Sequence, residues 1–279
     1  MGTPESKLRR LALSRQIVFL LVAAAVIVPF LLRFPMPIKP SHLAKAVYDK
    51  IESLPPGSPV LLAFDYDPTA MAELYPMSLA LLRHCFRRDL HPIVMTHWAN
   101  GVGLCKELIE RTATESAKES GRDYLFLGYK PGFNNLILNM GESLTGAFSK
   151  DYYGKPTEGM PVLRGVRSLK DIPLVIDIAA GGTVEAWIAY GRDRFGFDLA
   201  AGCTAVIAPD LYPFVDSGQL IGLLGGLRGA ADYEAMIDKA GAGMAGMQAQ
   251  SVTHVLIILL IAVANVLYAI ERRKAKRRT

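Results

Sequence analysis

Two aspartates one residue apart, Asp65 and Asp67, end the apolar stretch that begins at Pro59. One carboxylate can act as a nucleophile beside a second that transfers protons, and a bound metal ion can neutralise charge on the substrate. The same residues also suit the end of a strand and the start of a helix, because aspartate is a favourable helix N-cap. The sequence therefore allows a catalytic and a structural interpretation of this pair.

Other polar side chains lie where further predicted strands end. They are Thr96 and His97 after the second strand, Lys130 after the third, Asp177 in the fourth and Asp210 after the fifth. In open parallel sheets, ligands bind beyond the carboxyl ends of the strands. We therefore expect these side chains to lie along one edge of the sheet, as a polar cluster.

The segment LLAFDYDPT has the pattern DxDxT directly after an apolar strand. It resembles the opening motif of the haloacid dehalogenase superfamily of phosphatases and phosphotransferases. The resemblance implies that Asp65 is the nucleophile and that Asp67 is the general acid and base. It also implies a phosphate-binding hydroxyl, a phosphate-neutralising lysine and a magnesium ligand, which would be Thr96, Lys130, and Asp177 or Asp210.

The structural interpretation of the same motif is equally specific. Asp67 is followed by Pro68, and an aspartate N-cap with proline at the first helical position is a common helix start. Asp65 would then bind amides of the neighbouring loop. This interpretation requires no substrate.

Two further segments are candidates for ligand binding. His97 and Trp98 could stack on a ligand, although a histidine at a strand end is usually just hydrogen-bonded. Gly181, Gly182 and Thr183 follow the fourth strand, and glycines before a Thr cap expose backbone amides that suit an anion. The segment lacks the spacing GxGxxG, so a tight turn is the alternative.

The body of the chain repeats one theme, a short apolar run followed by an amphipathic segment, which is typical of βα units. We predict a Rossmann-like, doubly wound α/β domain with a mainly parallel sheet of about five strands. The predicted strands are 60–64, 92–95, 124–127, 174–178 and 204–208. The predicted helices are 41–54, 69–88, 104–120, 184–195 and 219–237. Residues 132–170 lack sustained periodicity and are predicted to be an irregular insertion or lid.

Two apolar segments, 17–32 and 252–270, are predicted to be transmembrane helices that flank this domain. The chain is then predicted to consist of a basic cytoplasmic N-terminus (1–15), a first span (16–34), an extracytoplasmic domain (35–250), a second span (251–270) and a basic cytoplasmic tail (271–279). Basic residues precede the first span and follow the second, which favours a plasma-membrane protein with both termini in the cytoplasm.

The net charge of +5 arises from the two tails, which hold ten of the 31 basic residues. Residues 16–271 have 21 basic and 25 acidic residues, so we expect no nucleic-acid partner. Cys85, Cys105 and Cys203 form no CxxC motif and predict no zinc site. A bridge between Cys85 and Cys105 is left open.

The function that we expect from these features is that of a membrane-anchored α/β module. It would be non-catalytic, bind a partner protein or a small ligand within a membrane complex, and need no cofactor. Its expected partners are the lipid bilayer and a membrane protein or a second copy of the chain, with Asn265 in the second span as a pointer to oligomerisation. The alternative is a magnesium-dependent phosphohydrolase that uses Asp65.

Overall fold

The protein is described here by a computed structural model, which covers residues 4–32 and 39–276. Its internal contacts define two compact units, one formed by Met1–Pro37 with Ala245–Thr279 and the other by Ile38–Met244. Residues 33 and 34 of the first predicted span and the last three residues of the basic tail lie outside the described residues. The second unit contains the sheet.

The sheet has six strands, and every neighbouring pair is parallel. Its strand order is β3-β2-β1-β4-β5-β6. The strands are β1 (Pro59–Asp65), β2 (His91–Thr96), β3 (Leu125–Tyr129), β4 (Leu174–Ala179), β5 (Asp198–Cys203) and β6 (Leu223–Gly225). The predicted α/β class is confirmed, with six strands instead of about five.

Helices cover both faces of the sheet, which is why the strand sequences are apolar without alternation. One face packs against α2 (His42–Ser53), α3 (Met71–Arg87), α4 (Val102–Glu115) and α10 (Gly226–Met236). The other face packs against α5 (Phe133–Glu142), α6 (Leu144–Ala147), the helical run α7 (Thr183–Ala186) to α8 (Asp193–Phe195), and α9 (Ala208–Asp216). The second face carries the site residues discussed below.

The predicted fifth strand, 204–208, is wrong. β5 ends at Cys203, and Val206 is 84% exposed in the turn that leads to α9. The true strand, DLAAGC, was missed because its side chains are small. A Cβ at Gly202 would lie 2.4 Å from Ile178 Cδ1 and 2.6 Å from Met77 Sδ, so close packing excludes the larger residues that usually mark a strand.

The predicted helix 219–237 is correct only in its second half. Residues 223–225 form the edge strand β6, and α10 begins at Gly226. Gly226 has a φ of +57°, a conformation that glycine adopts at little cost. A strand of three residues is too short to leave a periodic pattern in the sequence.

Other predicted helices exist with shifted bounds. Ser41 caps α2 as predicted, since its side chain accepts a hydrogen bond from Ala44 N. α3 begins at Met71, so Asp67 is not its N-cap, and α4 begins at Val102 after a 3-10 turn. The predicted helix 184–195 contains a π-helical segment, Trp187–Arg192, between α7 and α8.

The segment predicted to be irregular, 132–170, is partly helical. It contains α5, α6 and the 3-10 turns Pro161–Leu163 and Leu169–Asp171. Residues 148–160 form no helix or strand beyond one isolated β-bridge, Lys150 to Pro156.

The three cysteines are free and buried, so the disulfide between Cys85 and Cys105 is absent.

The first unit consists of helix α1 (Pro4–Leu32) and most of α11 (Ala242–Lys276). The segments Arg15–Leu32 and Ala242–Ile270 are long and apolar enough to cross a membrane. Large apolar side chains are exposed along both, for example Leu31 and Tyr268. These features weakly suggest a membrane protein.

A buried histidine joins three helices on the face opposite the site. His84 of α3 contacts the Tyr233 hydroxyl of α10 through Nδ1 at 2.8 Å and Glu52 of α2 through Nε2 at 2.9 Å. Its ring stacks on Tyr48. Burial lowers the pKa of His84 from 6.5 to about 4, so the ring is neutral at pH 7.

This histidine makes part of the stability depend on pH. The unfolded chain binds a proton at His84 below its ordinary pKa, whereas the folded chain does so only near pH 4. The contribution of His84, on the order of 3 kcal/mol, is therefore present above pH 6.5 and lost as the pH falls towards 4. Urea unfolding across this range should show a smaller pH dependence for His84→Asn than for the parent. An equal dependence in both proteins would contradict the assignment.

Candidate functional site

The site lies where the strand order reverses. The chain runs outward from β1 to β3, returns to pair β4 with the other side of β1, and then continues to β6. The loops after β1 and β4 therefore leave in opposite directions, and in open α/β sheets such a reversal is where ligands bind. We call this place the switch point.

Asp65 and Asp177 lie on the same face at the switch point. Ala63 of β1 is in register with Asp177, and Asp65 is in register with Ala179. Because side chains of a strand alternate between faces, Asp65 lies two residues beyond Asp177 on the face that α5 and α7 cover. Both carboxyl groups are fully buried.

Asp65 is satisfied by the segment that follows β2. Its Oδ1 accepts hydrogen bonds from His97 N at 2.5 Å and Thr96 Oγ1 at 3.2 Å, and its Oδ2 contacts His97 Nδ1 at 2.7 Å. A buried carboxylate with three donors is well stabilised. Asp65 therefore fixes the loop after β2, as the structural interpretation expects, and it also orients the His97 ring.

The orientation of His97 defines what its other nitrogen can do. A carboxylate only accepts hydrogen bonds, so Nδ1 carries the proton that it shares with Asp65. In a neutral ring, Nε2 is then an acceptor. Nε2 is buried and has no hydrogen-bond partner within the described residues. The edges of two rings, Phe133 and Trp187, contact the imidazole at centroid distances of 5.2 and 5.6 Å.

Asp177 is the most unusual group in this region. Neither of its carboxyl oxygens has a partner with hydrogen-bonding geometry among the described residues, although the Thr183 hydroxyl and the Asp65 carboxyl lie close enough to act on its pKa. Burial raises the pKa of Asp177 well above its ordinary value, and the nearby charge of Asp65 raises it further. A carboxyl group that is buried without a partner is costly, and such groups are concentrated at functional sites.

Other polar atoms near Asp177 are also buried without a partner in the described structure. They belong to the helical run after β4 and are Thr183 Oγ1, Glu185 Oε2 and Trp187 Nε1. Thr183 and Glu185 both act on the pKa of Asp177, which places them beside it. We refer to His97, Asp177, Thr183, Glu185 and Trp187 as the switch-point cluster.

The loop after β4 packs against Trp98, the neighbour of His97 in the chain. Gly181 lies against the Trp98 indole, and a Cβ at this position would come within 3.1 Å of Cζ2. Trp187 is fully buried and belongs to the π-helical segment. Such segments are rare and are frequent at functional sites, because the extra residue redirects side chains.

The structure places several predicted site residues outside the cluster. Asp67 Oδ1 accepts hydrogen bonds from Thr69 N and Thr69 Oγ1, which lower the pKa of Asp67. Lys130 Nζ donates to Ala147 O and lies 5.5 Å from the Phe148 ring centroid. Asp210 is exposed in the first turn of α9. The catalytic roles that the resemblance implies therefore stay predictions.

The geometry does not support the predicted anion site at Gly181–Thr183 or the predicted metal site at Asp177 or Asp210. Gly182, not Thr183, occupies the N-cap position of α7, and α7 is only four residues long. Across residues 4–32 and 39–276, no group of three or more His, Cys, Asp or Glu side chains could hold a metal ion. Magnesium binding by Asp177 or Asp210 stays a prediction.

Trp187 and Glu185 are members of the cluster that the sequence pattern did not predict. Both lie inside a predicted helix, where nothing marks the π-helical turn that directs Trp187 towards His97. One signal was available. Trp98 and Trp187 are the only two tryptophans of the chain, and they follow the carboxyl ends of β2 and β4, the two strands that flank β1.

Comparison of this chain with protein-family models, with curated proteins and with solved structures gives no match. Asp65 holds His97 in a fixed orientation, and the cluster contains several buried polar atoms without a partner in the described structure. Such an arrangement suits recognition of a small group that enters the cluster and supplies the missing hydrogen bonds.

Proposed function

We propose that the protein is a membrane-anchored α/β domain that binds a small polar ligand at the switch point of its sheet. One observation carries this proposal: Asp177 is fully buried and has no hydrogen-bond partner among the described residues. On the helical run after β4, the atoms Thr183 Oγ1, Glu185 Oε2 and Trp187 Nε1 are also buried without a partner in the described structure. A ligand that satisfies them would recover a hydrogen-bonding deficit that the fold otherwise carries.

The position of the cluster supports the same function. The strand order is that of the Rossmann fold, in which ligands bind at the crevice between the first and fourth strands. A purely structural role for Asp177 is harder to explain, because a leucine or asparagine at this place would avoid the cost of burying an unpaired carboxyl group.

A dinucleotide is not the ligand that this geometry favours. The turn after β1 has the sequence YDPTA, without the glycines that let a pyrophosphate approach the helix start. Glu73 lies in the first turn of α3, and its Oε2 accepts a hydrogen bond from Ala205 N. An acidic side chain at this helix start disfavours an anionic group.

Thermal unfolding of the full chain in detergent micelles tests the proposal. A panel of small neutral, cationic and anionic metabolites is added to the parent and to Trp187→Phe, which keeps a ring and removes the indole donor. We expect at least one compound to raise the melting temperature of the parent and to raise that of the variant less. Tyr153→Phe, a substitution at an exposed tyrosine, is the matched control. If no compound raises the melting temperature, or if the gain is equal in parent and Trp187→Phe, the proposal fails.

The anchoring part of the proposal follows from the two apolar helices. α1 and α11 attach the domain to the plasma membrane, both termini are cytoplasmic and the domain is extracytoplasmic. The basic residues before the first span and after the second support this orientation. Asn265 remains the predicted contact with a membrane partner or a second copy of the chain.

Cysteine labelling in intact cells tests the orientation. The three native cysteines are buried, so a membrane-impermeant maleimide should react with an introduced cysteine against a low background. We expect Ser217→Cys, in the exposed turn after α9, to be labelled in intact cells and Thr279→Cys to be labelled only after lysis. The reverse pattern would place the domain in the cytoplasm.

A further inference from the structure

The unpartnered atoms of the switch-point cluster are mainly hydrogen-bond acceptors. Ionised Glu185 can only accept through Oε2, and His97 Nε2 accepts in the tautomer that Asp65 selects. Asp177, which carries a proton in the free protein, accepts through both oxygens once a bound cation has made it release that proton to the solvent. The Thr183 hydroxyl can accept or donate. Trp187 Nε1 is the one obligatory donor among these atoms. A ligand that satisfies the cluster must therefore bring donors.

Acidic side chains act on Asp177 and on its neighbourhood at this edge of the sheet. The charges that act most strongly on Asp177 are those of Asp65 and Glu185. At the carboxyl end of β5, burial and then the charges of Glu73, Glu185, Asp177 and Asp210 raise the pKa of Cys203 to about 12. This edge of the sheet is therefore electronegative, and in an interior of low polarity such charges favour a cation.

Aromatic rings complete the surroundings. Trp187 and Phe133 border His97, and Trp187 also contacts Phe197 at a centroid distance of 6.1 Å. A strongly hydrated metal ion is poorly suited to such walls, and the described residues contain no group that could hold one. An organic cation with a short apolar chain suits both the acceptors and the rings.

We infer that the ligand of the switch point is a primary ammonium ion, whose three N–H donors bind Asp177, His97 Nε2 and Thr183. This inference rests on the proposed function and names the class of ligand for the same site. Within the described structure these acceptor atoms have no partner with hydrogen-bonding geometry, and the polar groups close enough to Asp177 to act on its pKa include the Thr183 hydroxyl and the Asp65 carboxyl. A ligand that also carried a carboxylate would meet the acidic edge, so amines without a carboxylate are the better ligands.

Three probes of equal length and different charge test the inference. Propylammonium, 1-propanol and propionate are titrated into the full chain in detergent micelles, and the melting temperature is followed. The buffer is phosphate, since Tris is itself a primary amine. We expect only propylammonium to raise the melting temperature of the parent.

Two carboxyl variants locate the binding. Asp177→Asn keeps the size of the side chain and removes its charge, and we expect it to weaken propylammonium binding by about tenfold to a hundredfold. Glu158→Gln removes an exposed carboxylate of the 148–160 segment and should leave binding unchanged. Equal affinity in the parent and Asp177→Asn would overturn the inference.

The outcomes also separate the ligand class from the function. If propanol or propionate stabilises the parent as much as propylammonium does, the inference of a cationic ligand is wrong. The proposal of a ligand site at the switch point then still stands. If none of the three probes stabilises the parent, the inference is overturned. The metabolite panel with Trp187→Phe then decides whether the site binds any ligand.

Discussion

Removing His97 should cost about 3–5 kcal/mol of folding free energy, the largest loss that we expect from a single polar substitution in this protein. His97→Ala deletes the Nδ1 donor at 2.7 Å from Asp65 and leaves a fully buried carboxylate with fewer donors. It also removes the ring that Phe133 and Trp187 contact. Chemical unfolding of the parent and the variant at pH 7 measures the loss.

A double-mutant cycle assigns this cost to the pair. Asp65→Asn removes the charge, so His97→Ala should cost less in the Asp65→Asn background than in the parent, by at least about 1.5 kcal/mol. His42→Ala, at an exposed histidine at the start of α2, is the control and should change stability by less than about 0.5 kcal/mol. Additive costs would show that Asp65 does not depend on His97.

Replacing Asp177 should have the opposite sign and stabilise the protein. Asp177→Asn keeps the shape of the side chain and removes a carboxyl group that is buried without a hydrogen-bond partner in the described structure. We expect a gain of about 1–2 kcal/mol in the free energy of unfolding at pH 7. Substitutions that stabilise a protein at the expense of binding are typical of functional sites.

The pH dependence of this gain follows from the raised pKa. Below the ordinary aspartate pKa of 3.8, Asp177 is protonated in both folded and unfolded chains and contributes no penalty. As the pH rises, the unfolded chain loses its proton first, so the parent becomes less stable relative to Asp177→Asn. The gain should therefore be small near pH 4 and largest at neutral pH.

A second buried aspartate provides a matched control. Asp232 is also fully buried, but its carboxylate accepts hydrogen bonds from Arg228 Nε at 2.6 Å and Ser41 N at 2.9 Å. Asp232→Asn should therefore destabilise the protein by about 1–3 kcal/mol. If Asp177→Asn also destabilises the protein, Asp177 has a structural partner and is not held for a ligand.

The sequence predicted the strands that build the site because burial determines their composition. β1, β2 and β4 are flanked by strands and covered by helices on both faces, so their residues are continuously apolar and their ends are visible. The rule that ligands bind beyond the carboxyl ends of strands placed Asp65, His97 and Asp177 at one edge of the sheet. It also placed Lys130 and Asp210 there, and these two lie outside the switch-point cluster. The edges of the sheet were harder, because close packing at Gly202 and the brevity of β6 remove the usual signals.

The chemistry of the site was only partly visible in the sequence. Hydrogen bonding decides whether an aspartate is a cap, a structural partner or an unpaired group, and this depends on neighbours that are distant in the chain. Asp67 is satisfied by Thr69, two residues away, whereas the acceptors for Lys130 and the neighbours of Asp177 come from other elements. Trp187 reaches the cluster from a π-helical segment, which no periodicity in the sequence predicted.

Infrared difference spectroscopy of the full chain can show whether Asp177 is held without a partner until a ligand binds. The parent minus Asp177→Asn difference spectrum at neutral pH reports the carbonyl stretch of a protonated carboxylic acid, with and without propylammonium. We expect this band in the free protein, since burial and the charge of Asp65 raise the pKa of Asp177. We expect it to disappear when propylammonium binds, because the carboxylate then pairs with the ammonium ion and its proton passes to the buffer. A parent whose Asp177 is already ionised without ligand, or a band that propylammonium leaves unchanged, would contradict this expectation.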